Sequence, residues 1–179
     1  MSSGDKLTYD RVERFVKAKI PQVIEDDILN AFAMFSIERD MTVDNLVDYF
    51  DYLELPHDLY KMVRSEDVVI EGTNIVDFDR ILQCTYHLLI YMDNESVIDE
   101  FWGLLVRTSE RDKSFPHVKL RDHVLSVKDL QKISNAINIG DSKGVMEMIS
   151  CATNGKRVYI DYLDFASVLG RLGLLRFKE

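Results

Sequence analysis

The chain has 179 residues, 46% of them hydrophobic, which suits one domain or two small lobes with an ordinary core. Lys and Arg total 22 against 31 Asp and Glu, a net charge of −9 that repels phosphate backbones and argues against direct, sequence-specific nucleic-acid binding. Two cysteines without CxxC spacing exclude a disulfide framework and point to a reducing compartment, cytosol or nucleus, and no apolar run reaches the 18 residues a membrane helix needs.

In chain order, residues 1–19 carry frequent charges and no signal-peptide pattern, and read as an amino-terminal tail. Ile28, Leu29, Ala31, Phe32 and Phe35 then recur at helical spacing, and so do Leu46 to Leu53 after a short break. Pro56 precedes a stripe at Leu59, Met62 and Val63, and Ile81 to Tyr91 forms a longer one. Val97, Ile98, Phe101, Leu104 and Leu105 continue the pattern, followed by an inserted loop over 107–124. Leu130 to Ile137, Val145 to Ala152 and Phe165 to Leu172 complete it. The fold class expected is all-α.

A faint repeat organises these helices. Met41 in MTVDNL, Val76 in VDFDRI, Leu125 in LSVKDL and Ile160 in IDYLDF each open a similar run before a helix, at separations of 35, 49 and 35 residues. Two equal intervals around a longer one predict two pairs of helix-loop-helix units, the layout of a four-EF-hand protein in two lobes, 20–92 and 93–179. Each pair should join through a short antiparallel bridge, Met41 with Val76 and Leu125 with Ile160.

The loops lack calcium ligands. A calcium loop places oxygens at positions 1, 3, 5 and 12 with glycine at 6. The fourth loop offers Thr153, Gly155, Arg157 and Asp164, with Val158 in place of the glycine; the second offers Val69, Glu71, Thr73 and Arg80. The first is about two residues short and the third far too long. No metal and no cofactor is expected, and Arg157 or Arg80 is the candidate to fill a vacant ion position.

Catalytic signatures are absent. His57, His87, His117 and His123 stand in no HExxH spacing, and no GxSxG or glycine-rich phosphate loop occurs. The GDSKG of residues 140–144 reads as a helix cap through Asp141 or Ser142. The insertion, with His117 and His123, reads as a solvated loop, and Trp102 fits a core role as well as a docking role.

From about residue 20 onward the layout resembles calmodulin and centrin. Three stretches, VRSEDVVIEGTNIVDF, FPHVKLRDHVLSVKDLQKIS and EMISCATNGKRVYIDYLDFASVLGRLG, look like the centrin-like nucleotide excision repair protein of budding yeasts. That resemblance implies a calcium-free nuclear subunit that binds the homologue of the xeroderma pigmentosum group C damage-recognition protein, itself a monomer before the complex forms. By analogy with centrin, the carboxyl lobe would grip one partner helix through Phe101, Leu104, Leu130, Ile133, Ile137, Met148, Ala152, Phe165, Val168 and Leu169, with Phe165 as an anchor, Leu169 near the rim and acids around them. Ser134 departs from the methionine usual on that helix. The alternative is a light-chain-like module on a basic amphipathic helix of a motor or cytoskeletal protein; neither reading includes catalysis.

Overall fold

The computed structural model describes residues 9–138 and 142–178, so Gly140 and Asp141 of GDSKG lie outside the described residues. The chain is predominantly helical and divides into two compact units.

The amino unit spans Lys17–Asp93 and takes in residues 176–178. Its helices are α2 (Gln22–Ser36), α3 (Leu46–Tyr52), the single turns α4 (His57–Tyr60) and α5 (Ser65–Val68), and α6 (Phe78–Asp93). Aromatic rings link its helices: half-buried Phe32 meets half-buried Phe78 edge-on at 5.1 Å, half-buried Phe35 meets Tyr49 at 6.4 Å, and buried Phe50 stacks on Tyr60 at 5.3 Å. The fully buried Tyr49 satisfies its hydroxyl on the Thr85 hydroxyl at 2.9 Å, as a buried polar group must. Between the two loops the Val76 amide donates to the Met41 carbonyl at 2.8 Å and the Val43 amide to the Asn74 carbonyl at 3.0 Å, an antiparallel bridge with Thr42 opposite Ile75. The stripe at Leu59, Met62 and Val63 is not one helix. Arg64 is extended, and Glu66 and Asp67 start a new turn at the amino end of α5, where carboxylates favour initiation.

The carboxyl unit spans Asn94–Leu175, and the described residues 9–16 belong to it. Its helices are α7 (Glu95–Thr108), α8 (Arg111–Ser114), α9 (Val127–Ala136), α10 (Ser142–Thr153) and α11 (Tyr162–Arg171), joined by α1 (Tyr9–Val16). Two-residue strands β1 (Leu125–Ser126) and β2 (Tyr159–Ile160) pair antiparallel with Leu125 opposite Ile160. Ser126 and Asp161 cap α9 and α11 through reciprocal capping boxes with Asp129 and Asp164. The expected tail is therefore partly helix: α1 packs on α11 because Phe15, 1% exposed, belongs to the core of this unit.

The insertion is solvated as expected over residues 113–120 but anchored on either side of them. Trp102, wholly buried, donates from its indole to the Leu120 carbonyl at 2.9 Å, which assigns it to the core. Arg121 grips Asp99 with two hydrogen bonds, 2.9 and 2.7 Å, and reaches Glu95 at 3.3 Å, while the Tyr162 hydroxyl donates to the same Asp99 at 2.7 Å. Arg111 lies over the Phe115 ring and bonds Asp129 at 3.3 Å. His123 is buried, and that burial together with the nearby Arg111 charge lowers its pKa, whereas His117 is exposed.

Burial raises the Asp99 pKa, but the Arg121 and Tyr162 hydrogen bonds and the Arg121 charge outweigh it and hold the carboxyl below the ordinary aspartate range. A depressed folded-state pKa contributes stability above the unfolded value, roughly 3.9, and loses it as pH falls through the folded value. Asp99→Asn should therefore cost about 1–2 kcal/mol at pH 7, a range kept low because part of the carboxylate meets water. That deficit should begin to shrink below about pH 4 and narrow further as pH falls through the depressed folded value, which urea melts at pH 7 and pH 3 would check.

Candidate functional site

The loop between α10 and α11 is closed by an ion pair. Arg157 and Asp164 are nearly buried, with side chains 11% and 10% exposed, and the guanidinium donates directly to Asp164 Oδ1. The other oxygen of Asp164 accepts the Asp161 amide at 3.0 Å, so one carboxylate both closes the loop and starts the helix. Thr153, at the first loop position, accepts the Arg157 amide at 3.4 Å. In the amino unit Arg80 acts similarly, donating to the Val69 carbonyl at 2.8 Å across its loop. Among the described residues no group of three or more His, Cys, Asp or Glu is placed to hold a metal.

Around this frame α7, α9, α10 and α11 pack on one another. The ten residues expected to line a groove divide by burial. Leu130, Ile133, Ala152 and Leu169 are inside the unit. Phe165 and Val168 are half-buried, Phe165 against the Trp102 indole at 5.5 Å. Phe101, Leu104, Ile137 and Met148 are exposed at 42%, 54%, 58% and 65%. Leu169 is thus no rim residue: at 4% exposure it shares the buried face of α11 with Tyr162 and Ala166, so a charge there would attack the core. Leu172, 37% exposed, takes the rim position and was passed over. It lies four residues after Val168 and seven after Phe165, a spacing that could have identified it.

Charge divides unevenly between the two units. Residues 17–93 hold 6 Lys or Arg against 16 Asp or Glu, whereas residues 94–175 hold 11 of each. The acids expected around the carboxyl face are balanced by cations. The amino unit carries the acidity, and it too exposes apolar side chains, among them Val23, Met34 and Ile37.

Fold and site define a helical protein of two units, one acidic and the other neutral, each with exposed apolar side chains. The Rad33 family profile matches residues 59–142. The DNA repair protein RAD33 of Saccharomyces cerevisiae is 52% identical over 176 residues, covering 98% of this chain and 99% of that protein. No solved structure matches. The chain belongs to the Rad33 family, and its role lies in DNA repair, as the three quoted stretches led us to expect.

Removing Arg157 would strand a buried carboxylate, so Arg157→Ala should destabilise the chain by about 3–5 kcal/mol. The double variant Arg157→Ala/Asp164→Asn should recover part of that loss, since no unpaired charge remains. Chemical denaturation of the three variants measures both effects.

Proposed function

We propose that the chain is a non-catalytic, nuclear subunit of nucleotide excision repair that clasps one amphipathic helix of a damage-recognition protein, the xeroderma pigmentosum group C homologue, without calcium. Paired loops at Met41 with Val76 and at Leu125 with Ile160 support reading the fold as four degenerate EF-hand-like units. The observation that carries the binding proposal is the open apolar face: Phe101, Leu104 and Met148 are exposed on helices whose opposite sides form a tight core. Such a face fits apolar side chains at i, i+3, i+4 and i+7 of a partner helix. Because arginine holds the loop, the face is constitutively available, unlike that of a calcium sensor.

Charge favours this reading over a motor or cytoskeletal light chain. A basic helix docking on Phe101, Leu104 and Met148 would find a unit with no surplus of acids behind them. The helix sought is therefore mainly apolar, with affinity resting on buried anchors.

Met148→Glu and Leu104→Glu change exposed positions and should leave helicity and melting intact. Each should weaken binding of the damage-recognition protein by at least about tenfold, as loss of a central apolar contact does. Wild-type affinity in both folded variants, measured by calorimetry, would move the interface elsewhere, and copurification with mass spectrometry that returned a motor protein instead would replace the partner. Titration of the free chain with calcium should release no binding heat, and a chelator should leave its melting temperature unchanged.

A further inference from the structure

Helix α1 lies outside the helix-loop-helix scheme, yet it packs on α11, the helix that carries Phe165, Val168 and Leu172. Its anchor is Phe15, and the close approach is made at Gly170. A Cβ built on Gly170 would overlap three carbons of the Phe15 ring, so the ring rests on the backbone of α11. Gly170 is buried inside a helix, where glycine is a poor helix former, and the contact supplies the physical reason for its presence.

The position of this contact matters. At 100° per residue, Phe165, Val168 and Leu172 lie roughly 140–160° around the helix axis from Gly170. Phe15 thus presses on one flank of α11 while the partly open apolar residues occupy the opposite flank. At the other end of the helix, Arg157 and the Asp161 capping box hold its first turn. We propose that α1 is a strut for the partner-binding face: Phe15, acting through Gly170, is a positioning residue that fixes the last turn of α11, so that together with the Arg157 clamp both ends of the helix are set without an ion. This rests on the helix-clasp reading of the carboxyl unit and adds to it a segment that touches no partner.

The test measures affinity of the full chain for the damage-recognition protein. Phe15→Ala should weaken binding at least tenfold, and Phe15→Leu, which refills most of the notch, should stay within about threefold of wild type. Should Phe15→Ala fail to fold, Gly170→Ala keeps the question open to measurement. Alanine is the better helix former, so α11 itself is favoured while the added methyl drives the Phe15 ring away. The strut predicts the same tenfold loss from Gly170→Ala with undiminished helicity. Wild-type affinity in folded Gly170→Ala and Phe15→Ala would overturn the strut alone. A wild-type chain that does not bind the protein would overturn the helix-clasp reading, and the strut with it.

Discussion

Arg157 and Asp164 meet across the loop that joins α10 to α11, and the placement of α11 follows from that contact. Burying two charges is costly, and their attraction repays the cost only when the remaining lone pairs are also used. The repayment here is partial: Arg157 Nε is buried without a partner, and burial pushes the Asp164 carboxyl up to about 6. The second oxygen of Asp164 nonetheless accepts the Asp161 amide, and Asp161 accepts the Asp164 amide at 2.9 Å. The guanidinium is therefore tied into the helix cap. Ile160, next to the cap, pairs with Leu125, so the same contact reaches the start of α9 through β1.

A second network holds the other side of the carboxyl unit. Asp99 on α7 receives Arg121 from the insertion and the Tyr162 hydroxyl from α11, joining three segments distant in sequence. Trp102, one helical turn further along α7, is flanked by Tyr162 and Phe165 and closes over Leu120. The insertion is thereby part of the frame, and the half-buried Phe165 is backed by a rigid aromatic wall. What stays unfilled is the outer flank of α7 and α10, where Phe101, Leu104 and Met148 face water.

Regular spacing made part of this legible. Equal 35-residue intervals mark Met41 with Val76 and Leu125 with Ile160 because residues at one loop phase must hydrogen-bond across paired loops. An arginine at a ligand position read directly as an ion substitute, and both Arg157 and Arg80 cross their loops. Contacts without a period were not legible. Phe15 and Gly170 are 155 residues apart, and nothing in an alternating or helical pattern links them. Arg121 finds Asp99 across 22 residues that include the rest of α7 and the turn α8, a contact that anchors the end of the insertion. Leu169 was misplaced for a different reason: analogy transferred a groove role by motif position, whereas the helical phase shared with Tyr162 and Ala166 assigns it to the core.

A loop closed by a guanidinium differs physically from one closed by a bound ion. A calcium loop is ordered only while free calcium exceeds its dissociation constant, so its stability moves with ion concentration. Arg157 is tethered a few residues from its carboxylate and cannot dissociate, so its effective concentration is fixed by the chain. A frame held this way is ordered by a contact within the chain itself and needs no ion to close its loop. Exposed apolar side chains then persist in the free chain, a liability for a lone protein and a preorganised surface for one that works in a complex. Charge balance in the carboxyl unit means its exposed apolar residues are not shielded by a field of one sign, whereas the surplus acids sit in residues 17–93.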